Sequence, residues 1–199
     1  DRPPGTAASV WEAQNPSHPG LGSVSERRIV VLGLGNLMRA DDAVGMLALQ
    51  QLRVDVRLPT SVSLVEGGTL GLDLLHPLDG ATHLLALDAI DSGAAAGTLL
   101  RFGGDAIADL PISKSVHLLG FSDLIGAMRL TGSAPAEIVV LGVQPDTIGW
   151  GTRLTPGVEG ALPELIEMVL AQLERWRAEM PGLPPDGYTE QVQTFAAAG

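Results

Sequence analysis

The sequence predicts a three-layer α/β/α domain around a mostly parallel, twisted sheet of about five strands. Two observations carry this. Short apolar runs alternate with segments whose apolar residues recur at i, i+3 and i+4, as strands do with crossover helices. The runs at 29–32 and 83–89 also read as buried strands, each ending at a glycine or an acid. In an open α/β sheet, sites lie at the carboxyl ends of such strands.

Composition bounds the class. A chain of 199 residues is one domain by prior and can bury a full core. Hydrophobic residues make up 45% and aromatics 4%, so an aliphatic core is expected. The net charge of −11, with no cluster of Lys or Arg, argues against nucleic acid and anionic membrane as partners. No apolar run has the length of a membrane span, and no signal-peptide pattern opens the sequence. The absence of Cys excludes disulfides and thiol nucleophiles and fits a cytoplasmic enzyme.

Residues 1–27 are punctuated by Pro and Gly and show no period, so they read as an N-terminal extension with Trp11 its one sticky residue. The domain itself is expected at 28–178, with a tail at 179–199.

The domain opens with RIVVLGLGNLMRADDAVG, residues 28–45. This is a strand, a glycine turn and a helix start, with Asp41 and Asp42 at the junction. Asp is a favoured N-cap, and that role is assigned to Asp41. Asp42 then falls in the first turn, where the helix dipole favours its ionised form. The plain alternative, that both acids only cap and solvate a helix end, carries about even weight on this stretch alone. A dinucleotide site is disfavoured, because Met38 stands at the third glycine position and two carboxylates occupy the phosphate approach. Peptidyl-tRNA hydrolases share the GLGN turn but continue Asn-Pro-Gly, where this chain has Leu37-Met38-Arg39.

A second strand at 62–65 leads to Glu66-Gly67-Gly68-Thr69, with Thr69 placed to cap a short helix at 70–75. His76 falls at that helix end, and Glu66 is read slightly in favour of a structural role. The strand at 83–89 ends at Asp88. An acid there needs a partner, a metal or water, so it is either a structural Asp bonded to backbone amides or a functional one, while His83 on the opposite edge is read as structural. A strand at 97–102 and a loop to Ser115 lead to a helix at 118–130. His117 stands at its start, where the dipole favours the neutral, metal-binding imidazole, although taken alone it reads better as a solvent-exposed loop histidine. The last strand is 137–143, and the loop 144–153 is expected to wall the cleft. Thr155 and Pro156 start a final helix running to about 177, which Pro163 is expected to kink.

The segment GLGNLMRADDAVG closely resembles the [NiFe]-hydrogenase maturation proteases, C-terminal processing endopeptidases of hydrogenase large-subunit precursors. The resemblance continues through Glu66-Gly67-Gly68-Thr69, Leu87-Asp88-Ala89, Ser115-Val116-His117, Leu141-Gly142-Val143-Gln144-Pro145 and Leu154-Thr155-Pro156, covering about 28–177. Carried over by position, it implies that Asp42, Asp88 and His117 form the catalytic and metal-contacting set. Many members have Glu at the position of Asp42, Gly at Ala43 and Asp at Glu66.

The resemblance implies an aspartyl-type endopeptidase that removes the C-terminal extension of a nickel-loaded large-subunit precursor. The Ni²⁺ would be carried by the substrate, with Zn²⁺ or Cd²⁺ able to replace it in a crystal. Two carboxylates and an imidazole suit such a metal. Ser113, Ser115 and Ser122 sit on no nucleophile-elbow pattern. Two other readings remain open at this point: a non-catalytic nickel-sensing chaperone or checkpoint for the same precursor, and a nucleotide-binding regulator using the Gly33–Asn36 loop.

Overall fold

The computed structural model describes residues 27–104 and 116–179, with the backbone alone at 116–118. Trp11 and the two terminal segments, except Arg27 at the end of the extension and Glu179 at the start of the tail, lie outside the described residues. The order of elements is β1 (Ile29–Leu34), a 3₁₀ turn (Ala40–Ala43), α1 (Val44–Val54), β2 (Val62–Gly68), a second 3₁₀ turn (Leu72–Leu75), β3 (His83–Ala89), β4 (Leu99–Gly103), α2 (Val116–Thr131), β5 (Glu137–Val143) and α3 (Pro156–Glu179).

The strands form one five-stranded sheet in the order β2-β1-β3-β5-β4. The pairs β1–β2, β1–β3 and β3–β5 are parallel, and β4 runs antiparallel to β5 at the edge. The central strands are apolar on both sides because both faces are covered. Ile29, Val31, Leu85, Leu87, Val139 and Leu141 face α1 and α3. Val30, Leu32, Leu84, Ala86 and Val140 face the second 3₁₀ turn and α2, against Leu74, Phe121, Leu124 and Met128. This is the three-layer α/β/α arrangement the sequence predicts.

Several details differ from the sequence expectation. The core is not wholly aliphatic: Trp176 and Phe121 are its largest fully buried side chains. The short helix begins at Leu72 as a 3₁₀ turn, and its N-cap is Gly71 with no side-chain cap, so Thr69 does not cap it. The strand expected from Gly97 begins at Leu99, because Gly97 has φ 82° and turns the chain instead. Helix α3 runs through Pro163 without interruption to Glu179.

His83 lies at the amino end of β3, far from the carboxyl rim. Its ring meets Trp176 edge-on at a centroid distance of 5.1 Å, and the Trp176 indole N–H donates to the Glu137 carboxylate. His83 is structural, as expected.

Candidate active site

The carboxyl rim of the sheet is assembled by glycines. Gly35 has φ 118°, and a Cβ there would stand 1.9 Å from the Asp42 carbonyl oxygen. Only glycine lets the turn after β1 fold back this closely. Gly45, in the first turn of α1, lies over the ends of β1 and β3. A Cβ on it would fall 2.5 Å from the Leu34 carbonyl and 2.3 Å from that of Leu87. The residue after Leu87 is Asp88. The 3₁₀ turn bearing Asp42 is therefore held at the same rim as Asp88, and this turn contacts β3.

Asp42 is 6% exposed, and its Oδ2 accepts the Asn36 N–H at 3.1 Å. Asp88 is fully buried, and its Oδ1 accepts the Ala89 N–H at 2.9 Å. His117 lies in the first turn of α2. Three residues on, Gly120 passes Gly71, whose added Cβ would meet the Gly120 Cα at 3.7 Å. Gly71 in turn follows Gly68, whose carbonyl accepts the Gly35 N–H at 2.9 Å. The start of α2 thus belongs to the same rim as the two acids. The His117 side chain and Ser115 lie outside the described residues. Among the described residues, no three His, Asp or Glu side chains group as a metal site.

Asp41 has a different role from the one assigned by sequence. It does not cap α1: both acids lie in the 3₁₀ turn, and the N-cap of α1 is Ala43, with no side-chain cap bond. The fully buried Asp41 carboxylate reaches across to the loop after β5. It accepts N–H groups from Thr155 at 2.6 Å, Asp146 at 2.9 Å and Thr147 at 3.1 Å, and the Thr155 hydroxyl at 2.9 Å. The sequence signal for this was the polar pair Thr155-Pro156 at a helix start, but nothing local joined it to Asp41.

The same loop is tied further by Ala40 N–H to the Gly151 carbonyl at 2.8 Å and Gly151 N–H to the Met38 carbonyl at 3.0 Å. Ala40 has φ 42°, a left-handed backbone uncommon for a residue with a side chain. Loop 144–153 does wall this rim, as expected. Its base is Gln144, a buried amide missed as an individual residue by sequence reading. Its Oε1 accepts from the Ser92 N–H at 2.7 Å and from the Ser92 hydroxyl at 3.0 Å, and its Nε2 donates to Asp91 at 3.1 Å. Gln144 fixes the β3–β4 connection beside Asp88. Glu66 ion-pairs with Arg53 at 2.6 Å, which supports its structural reading.

A doubly covered, mostly parallel sheet with two buried carboxylates gathered at its carboxyl rim defines an α/β protein with a candidate acid site. The hydrogenase maturation protease family model matches residues 46–172. The chain is 36% identical over 148 residues to the Hydrogenase 2 maturation protease of Escherichia coli K12, covering 73% of this chain and 90% of that protein. It is 35% identical over 157 residues to the hydrogenase expression/formation protein HupD of Bradyrhizobium diazoefficiens, covering 77% and 82%. The solved hydrogenase maturating endopeptidase HybD of E. coli superposes with a TM-score of 0.71 at 36% identity, over 75% of this chain and 93% of that one. The protein belongs to the hydrogenase maturation protease family and is a peptidase. No helix among the described residues is long and apolar enough to cross a membrane.

Proposed function

We propose that the protein is an endopeptidase that removes the C-terminal extension of a [NiFe]-hydrogenase large-subunit precursor, and that it recognises nickel already seated in that precursor. The observation that carries this reading is the presence of two buried carboxylates, Asp42 and Asp88, at one rim. The first turn of α2, with His117, joins the same rim. The printed names of the relatives, a Hydrogenase 2 maturation protease and a hydrogenase maturating endopeptidase, support the substrate class.

Nickel belongs to the substrate in this reading. Asp42, Asp88 and His117 are the groups that would contact it, a carboxylate and imidazole set suited to a divalent transition metal. Zn²⁺ or Cd²⁺ fits the same donors. Seating the metal would fix the scissile bond relative to the acids, a positioning effect. Hydrolysis then needs a water deprotonated by a carboxylate within hydrogen-bond reach, which makes the chemistry aspartyl in type. Attack on the carbonyl carbon breaks the C–N bond, and the proton held by the carboxyl passes to the leaving amine.

The test is mass spectrometry of apo and nickel-loaded precursor after incubation with one enzyme preparation. The nickel-loaded precursor should lose its C-terminal peptide, and the apo form and casein should stay intact. Equal cleavage of both precursors would refute recognition through the substrate's nickel.

A further inference from the structure

Next to the acids stands an exposed apolar surface with no role in the chemistry above. Leu37, Met38, Ile148 and Trp150 are 40%, 55%, 42% and 87% exposed. They come from two loops, and those loops are bound to each other. Gly151 donates to the Met38 carbonyl at 3.0 Å, Arg39 Nε donates to the Ile148 carbonyl at 3.0 Å, and Asp41 holds Asp146 and Thr147. The backbones are fixed while the apolar side chains face solvent. Exposed apolar groups clustered on a preorganised frame mark an interaction surface.

Trp150 also borders an open groove of about 1200 Å³ that runs between α1 and the start of α3, past Leu47, Gln50, Arg153 and Leu162. The charges at this rim are mixed: Asp146 and Glu159 are exposed there, as are Arg39 and Arg153. Among the described residues neither arginine forms an ion pair. In a chain of net charge −11 these are two cations left for a partner. The patch is also continuous with the site, since Asn36, which precedes Leu37, donates to Asp42.

We propose that Leu37, Met38, Ile148, Trp150 and the adjoining groove are the docking surface for the folded body of the precursor. Resting on the function proposed above, this assigns the partner an apolar, aromatic-accepting face edged by carboxylates that meet Arg39 and Arg153. A second copy of this chain is the other candidate occupant, and the continuity of the patch with the Asp42 rim through Asn36 favours the precursor. Contacts remote from the scissile bond hold the substrate while the acids act on its end.

The experiment is steady-state processing of nickel-loaded precursor by the full chain and by Trp150→Ala, Trp150→Phe and Arg153→Glu. Trp150→Ala should raise KM by about ten-fold or more with kcat within about two-fold, since exposed aromatic anchors carry much of an interface's affinity. Trp150→Phe should recover most of that loss. Arg153→Glu should raise KM and weaken the dependence of KM on salt. Thermal midpoints should match the parent, because the side chains are exposed. An unchanged KM in Trp150→Ala, while the parent cleaves normally, overturns the docking surface and leaves the protease reading intact. A parent that does not cleave the precursor overturns that reading itself. A dimer in sedimentation that Trp150→Ala dissolves, with KM unchanged, gives the patch to a second copy and overturns the proposal.

Discussion

Asp41 and Thr155 stand 114 positions apart in sequence and are joined by two hydrogen bonds, Thr155 N–H to Oδ1 at 2.6 Å and Thr155 hydroxyl to Oδ2 at 2.9 Å. Thr155 also caps α3, its carbonyl accepting the Glu159 N–H at 2.8 Å. One buried carboxylate therefore links the turn that bears Asp42 to the first turn of the last helix. Adjacent acids divide the work: Asp41 holds the frame and Asp42 faces the rim.

This division predicts unequal consequences of the same substitution. Asn at position 41 keeps one acceptor oxygen and puts an amide donor where the other accepts. At least one of the four donors loses its partner, which costs about 2 kcal/mol. Asp41→Ala orphans all four donors and should cost about twice that. Urea unfolding measures both. An Asp41→Asn midpoint equal to the parent's would show that the loop is held by its backbone bonds alone.

Gly45 gives a test in which two effects of known size compete. Gly→Ala in a helix normally stabilises by about 1 kcal/mol. At Gly45 the added Cβ would overlap two carbonyl oxygens, at 2.3 and 2.5 Å. Overpacking against rigid backbone costs about 3 kcal/mol, so the clash should win. Gly160 is the control, because it is exposed within α3 with nothing within 4 Å of its added Cβ. Gly160→Ala should raise the thermal midpoint and Gly45→Ala should lower it. A stabilised Gly45→Ala would mean that α1 does not rest on the ends of β1 and β3.

The fold was legible because its signals are local. The runs at 29–32, 83–89 and 137–143 carry their burial in their own composition, and the intervening periods are helical. The burial and bonding of Asp88 were legible, because an acid ending a buried strand cannot be left alone. Asp41 was not legible. Its partners lie 105 to 114 residues away, and sequence offers only the local use of an Asp before a helix, which is capping. Trp150 was hidden for a related reason: nothing local separates it from Trp176, yet Trp176 is core while Trp150 is solvent-facing.

His83 predicts a pH effect on stability rather than on catalysis. Burial pushes its pKa below the usual 6.5, and Arg27 adds to this, while Glu137 and Glu179 oppose it. The folded state therefore disfavours the imidazolium. Below about pH 6.5 the unfolded chain binds more protons at this position than the folded one, so stability falls as pH falls. Above that value the contribution is fully retained. His83→Phe keeps a ring against Trp176 and removes the titration. The stability difference, parent minus His83→Phe, should rise from pH 5 to pH 7 in urea titrations. A difference flat across that window would show that His83 titrates equally in both states.

The rim itself makes the sharpest prediction. Asp42 and Asp88 are buried acids, and the backbone N–H that each accepts, from Asn36 and from Ala89, can be met by the oxygen of an amide of the same shape. Asp42→Asn and Asp88→Asn should each reduce processing of nickel-loaded precursor by about 10³-fold or more, the scale of losing a proton-transfer or charge-binding group. His117→Ala should do the same if its imidazole completes the set. The fold should survive in all three, with far-UV circular dichroism and thermal midpoints near the parent's. That pattern is the reverse of the one predicted for Asp41→Asn, where stability falls first and activity follows from the loosened loop. Gel assays beside melting curves separate the two cases. Full processing by any one of the three variants would remove that residue from the site, and a loss of activity matched by unfolding would recast it as structural.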